Sequence, residues 1–124
     1  MRLATSAELD ALSSSVPEGE AKGRIGDWRF VTFIVRPDTD RQDHVVKLLG
    51  NSIDEGGCTL TSPIVRLDLT NCRITTESQS LYQLVGEPGA GEPGLHQLLR
   101  VCAYLHDGGA GAYYDVFHVF YDDE

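Results

Sequence analysis

The sequence predicts a single α+β domain: a mostly antiparallel sheet of five or six strands with one main helix, residues 95–107, packed on one face. Three observations carry that prediction. Residues 64–85 read as three short strands separated by polar turns. Leu95, Leu98, Leu99, Cys102 and Leu105 form an apolar stripe at helical spacing. Two further segments, 28–36 and 113–121, are apolar on both faces of an extended chain and rich in aromatic and β-branched residues.

Residues 1–26 form a weakly patterned segment ahead of the domain proper, 27–124. Within it Thr5-x-x-Glu8 is a capping-box signature and predicts a short helix through Leu9 and Leu12. The serines, Pro17 and Gly19 that follow end it with linker composition; a loosely docked segment is the alternative reading. The 28–36 strand places Trp28, Phe30 and Ile34 on one face and Val31, Phe33 and Val35 on the other. One helix does not obviously cover both faces, so a dimer partner is expected to supply the second cover. A polar loop over 38–43 leads to a return strand from His44 to Leu49, closed by Gly50 and Asn51. A helix over 40–49 is the competing pattern, disfavoured by Val45-Val46 and by the early glycine.

Cys58 to Ser62 reads as a short extended piece before Pro63. The strand 64–69 puts Ile64, Arg66 and Asp68 on one side and Val65, Leu67 and Leu69 on the other. Strands over 72–76 and 81–85 complete the meander. The duplicated Gly-Glu-Pro-Gly at 86–89 and 91–94 is a loop, because its glycines and prolines suit no regular element. The 95–107 helix then directs His96, Gln97, Arg100 and His106 away from its leucine face, and glycines 108 and 109 end it. The last strand, 113–121, is expected beside the Trp28 strand.

Charge narrows the function classes. Ten basic residues against 19 acidic ones give a net charge of −9, which repels a phosphate backbone and argues against direct nucleic-acid binding. No apolar run is long enough for a membrane helix, and Met1 to Glu8 lack the apolar core of a secretory signal, so a cytoplasmic location is expected. Cys58, Cys72 and Cys102 are an odd, widely spaced set with no Cys-x-x-Cys, which fits reduced thiols.

No pattern specifies catalysis, a metal or a cofactor. Asp38, Asp40, Asp43 and His44 lack the glycine and the final glutamate of a calcium loop. Cys102 and His106 stand four apart, but the leucines around Cys102 bury a thiol that would need exposure to react. The best pocket expected lies between sheet and helix, with His96, Arg100, Tyr114 and His118 as its polar lining. Trp28, Phe30, Phe117 and Phe120 are the interface candidates, since aromatics are enriched where subunits meet. The function favoured is a non-catalytic protein-interaction or regulatory module working as a homo-oligomer, a dimer first. A small-molecule-binding domain or enzyme using that pocket is one alternative. An acidic mimic that blocks a nucleic-acid-binding protein is the other, although the acids run from Glu8 to Glu124 rather than along one face.

Overall fold

The computed structural model describes residues 2–34 and 44–90, together with Pro93 and Gln97. The expected 38–43 loop, the 113–121 strand and, Gln97 apart, the 95–107 helix lie outside the described residues. The described chain is a small α+β domain with one six-stranded sheet and one short helix. In order these are β1 (Arg2–Leu3), α1 (Ser6–Leu12), β2 (Gly23–Ile34), β3 (His44–Ser52), β4 (Cys58–Asp68), β5 (Arg73–Thr76) and β6 (Leu81–Leu84).

Strands β1 to β6 lie side by side in chain order, each antiparallel to the next. In a run of five such strands the first and fifth point the same way. β6 accordingly pairs parallel with the start of β2, Gly23 against Tyr82 and Ile25 against Leu84, and the sheet closes on itself. Closure needs bent strands, and three bulges bend them. The first sets Asp27 and Trp28 against Gly50, the second puts an extra residue of β4 opposite Leu48, and the third leaves Val65 unmatched between Ile64 and Arg66. Asp27 takes a φ of 47° at the first.

Each bulge moves a side chain to a new face, and here the sequence expectation needs correcting. Val65, Leu67 and Leu69 were expected to share a side, but Leu67 is buried while Val65 and Leu69 stand 46% and 49% exposed. The extra residue at Val65 breaks the alternation, so Ile64 and Leu67, three apart, both point inward. The same device sends both Ile25 and Trp28 inward. β4 also runs unbroken through Pro63 rather than restarting after it, and β3 continues through Gly50 and Asn51 instead of ending there. Pro63 is tolerated because it sits beside a bulge, where the ladder is already interrupted. At that point the Thr61 hydroxyl accepts the Leu48 N–H at 3.1 Å in place of a backbone carbonyl. Cys72, which the sequence lets sit either in the turn or at the start of the returning strand, occupies the turn, with φ 56°.

The interior of the closed sheet holds Ile25, Trp28, Phe30, Leu48, Ile74 and Leu84 among others. Helix α1 packs Leu9 and Leu12 against this cluster. The expected capping box is present: Thr5 Oγ1 accepts the Glu8 N–H at 3.2 Å, and Glu8 Oε1 accepts the Thr5 N–H at 2.9 Å. Beyond α1 the chain is tied down as well. Val16 is buried, its N–H bonds Asp68 at 2.9 Å, and its carbonyl accepts from Arg73 at 2.8 Å. Asp68 also accepts from the Asn71 backbone and side chain, closing the turn between β4 and β5. These bonds, the one from Val16 first, hold its carboxyl below the usual carboxylate range.

The outer side of the β2–β3 pair is a second buried layer. Val31, Phe33, Val45, Lys47 and Leu49 are all buried, and Lys47 Nζ lies 5.6 Å from the centre of the Phe33 ring. Both faces of β2 are thus apolar and buried, as its sequence requires. They are buried within a single chain, so the covering role assigned to a dimer partner is already filled.

Candidate functional site

Two polar constellations and one groove stand out. The second constellation includes Glu8, which also lines the groove.

The first polar cluster forms at the β2 bulge. Arg29, its side chain 9% exposed, donates to Asp27 Oδ2 at 3.1 Å, to Gln97 Oε1 at 2.9 Å and to the Ala90 carbonyl at 2.9 Å. Gln97 Nε2 in turn donates to Asp27 Oδ2 at 3.2 Å and to Asn51 Oδ1 at 3.3 Å. Gly89 N–H bonds the Trp28 carbonyl at 2.9 Å, and the Trp28 indole N–H reaches the Gly86 carbonyl at 3.3 Å. Gln97, expected to face away from the packed side of its helix, is instead buried, because its amide completes this network. Among the described residues no buried side-chain nitrogen or oxygen lacks a partner, so the cluster is closed and acts as a clasp.

The second centres on Glu8. Its carboxylate accepts from Arg2 Nη1 and Nη2 at 2.8 and 2.9 Å, from the Thr5 N–H and from the Thr32 hydroxyl at 3.0 Å. The Arg2 guanidinium is the main reason its pKa falls from 4.5 to about 2. A carboxyl lowered on folding adds stability that is fully present above its unfolded pKa and lost as pH falls through the folded one. In urea melts, wild type is therefore expected to exceed Glu8→Gln by about 1–2 kcal/mol at neutral pH, allowing for solvent screening. That gap should hold down to about pH 4.5 and close by about pH 2. A gap independent of pH would show that Glu8 acts only through its shape.

The groove lies between α1, β3 and β4, with a volume of about 830 Å³. Its floor is apolar: Leu12, Val45, Val46, Pro63, Ile64 and Val65. Glu8, His44 and Glu77 are the ionisable side chains that line it. Its origin is the behaviour of two strands. The β3–β4 ladder ends at Lys47 against Pro63; beyond it β4 follows β5, while His44 to Val46 stay with β2. The strands splay, and α1 roofs the gap, held there by the Glu8 bonds to Thr32 and Arg2. A proline between two extended pieces was the signal in the sequence that the ladder would be interrupted there.

Of the residues singled out from the sequence, Trp28 and Phe30 sit in the interior cluster, 8% exposed each, with ring centres 5.5 Å apart. His96, Arg100, Tyr114, His118, Phe117 and Phe120 lie outside the described residues. Among the described residues no group of three or more histidines, cysteines or acids is placed to hold a metal ion. No helix among them is long and apolar enough to cross a membrane. Comparison with protein-family models, with curated proteins and with solved structures finds no match for the chain.

Proposed function

We propose that the chain is a non-catalytic protein-interaction module working as a homodimer, with the groove beside β4 as its recognition surface. One observation carries this reading: among the described residues an apolar groove opens between α1, β3 and β4, where the β3–β4 ladder ends at Lys47 and Pro63. A surface of that kind suits a peptide or protein partner. Support for self-association comes from Leu69, a large apolar side chain left 49% exposed where β4 ends. Light scattering at micromolar concentration should give twice the 13.6 kDa chain mass for wild type and 13.6 kDa for Leu69→Asp. At so exposed a position the substitution should move stability by no more than about 0.5 kcal/mol. A wild-type mass of 13.6 kDa would remove the homodimer from the reading.

A further inference from the structure

Residues 2–13 form an arm that Glu8 closes on itself. Its carboxylate takes two bonds from the Arg2 guanidinium on β1 and one from the Thr5 N–H at the start of α1. Helix α1 has no buried residue, and Leu9 and Leu12 are only half-buried where they pack on the core cluster. Toward the sheet the arm is held by a two-residue ladder, Arg2 with Thr32 and Leu3 with Val31. The Ala4 N–H adds a bond to the Phe30 carbonyl at 2.9 Å, and the Thr32 hydroxyl donates to Glu8 at 3.0 Å. The far end is firm. Val16 is buried, its N–H on Asp68 and its carbonyl on Arg73, and exposed Ser13, Ser14 and Ser15 lie between that anchor and the helix.

We infer that this arm is a lid: it leaves the sheet as one piece, pivoting on the exposed serines ahead of Val16, while the closed sheet stays folded. Fraying from the end of the chain would first have to break both bonds between Arg2 and Glu8, so β1 and α1 come away together. Detachment uncovers little apolar surface of the helix itself, the mark of a segment that opens well below the cost of global unfolding. What it uncovers beneath is the groove. The arm supplies Glu8, Ala11 and Leu12 to the groove wall, and with the arm in place Val46 and Ile64 on the floor are 8% and 5% exposed. The arm thus sets how much of that floor a partner can reach. Its regulatory role rests on the protein-interaction reading, whereas the motion itself does not.

Native-state hydrogen exchange on the full chain, followed by NMR, tests the lid. Ala4 N–H bonds across to Phe30, and Leu9 N–H bonds within α1 to Thr5. A helix of seven residues does not persist once off the sheet, so both amides should share one protection factor. That factor should be at least about a hundredfold below those of Leu48 and Leu84, whose N–H groups bond to Thr61 and Cys72, and Val16 should exchange with the latter pair. Thr32→Val keeps the shape and removes the hydroxyl, leaving Glu8 its bonds to Arg2 and Thr5; it should lower protection at Ala4 and Leu9 by about tenfold and leave Leu48 and Leu84 unchanged. Leu12→Ala, which trims the helix face instead, should do the same and serves if the buried Thr32 site does not accept valine. Protection at Ala4 and Leu9 equal to that at Leu48, unequal rates at Ala4 and Leu9, or variants that leave both amides unchanged overturn the lid. The Leu69→Asp mass measurement reads the dimer separately, so failure of the lid and failure of the interaction reading are told apart.

Discussion

Gly50→Ala should destabilise the domain by about 3 kcal/mol or more, a large loss for the removal of no contact at all. The reason lies across the ladder. Gly50 faces the β2 bulge, where two residues, Asp27 and Trp28, oppose one. A Cβ at position 50 would meet Ile25 Cγ2, come within 2.8 Å of the Gly26 carbonyl oxygen and lie 3.2 Å from Trp28 Cα. Two of those three atoms belong to the backbone and cannot swing aside as a side chain does. They move only if the bulge moves, and the bulge is what turns both Ile25 and Trp28 into the interior. Chemical denaturation of wild type and Gly50→Ala tests this. Gly57→Ala is the control: φ is 76° there but nothing lies within 4 Å, so only the conformational cost of about 1 kcal/mol applies. Equal losses for the two variants would mean that the close approach at Gly50 is not what matters.

That glycine marks the boundary of what could be read from the residues. Local signals were legible. The capping box at Thr5 and Glu8, the strand from His44 and the 64–85 meander each depend on neighbours within a few positions, and each forms. What stayed hidden depends on pairs far apart in the chain. Gly50 reads as a stop signal until Gly26 is known to lie against it. Val65 reads as core until an unmatched residue shifts its register. Gln97 reads as a solvated helix residue until Asp27 and Asn51 arrive beside it. The groove belongs to the same class, since it exists only because β3 and β4 part company after Lys47 and Pro63, with α1 laid over the gap. Its one local trace is Pro63, and a proline tells where a ladder breaks without telling what the break is open to.

The clasp at the bulge gives the second large effect, and it can be dissected. Arg29→Ala should cost about 3 kcal/mol, because it strands the polar groups that the guanidinium now satisfies. Asp27 keeps solvent contact, its side chain 48% exposed, so its share of the loss is modest. Gln97 is buried, so the loss falls mainly on its Oε1, whereas Ala90 is exposed and its carbonyl can turn to water. Arg29→Lys should recover little, since a single ammonium cannot reach Asp27, Gln97 and Ala90 in the directions a planar fork serves. Gly89 provides an internal check. A Cβ there would collide with Arg29 Cζ and Nη1 and lie 2.7 Å from Asp27 Oδ1. The end of an arginine is ordinarily free to yield, but this one is pinned by its bonds to Asp27, Gln97 and Ala90. Gly89→Ala should therefore be destabilising in wild type and much less so in Arg29→Ala, where the obstacle is gone. A double-mutant cycle by urea unfolding reads this as a coupling of about 1 kcal/mol or more between the two positions. Strict additivity would mean that Arg29 gives way easily, and that the loop is held to β2 by the Gly89 N–H and the Trp28 indole instead.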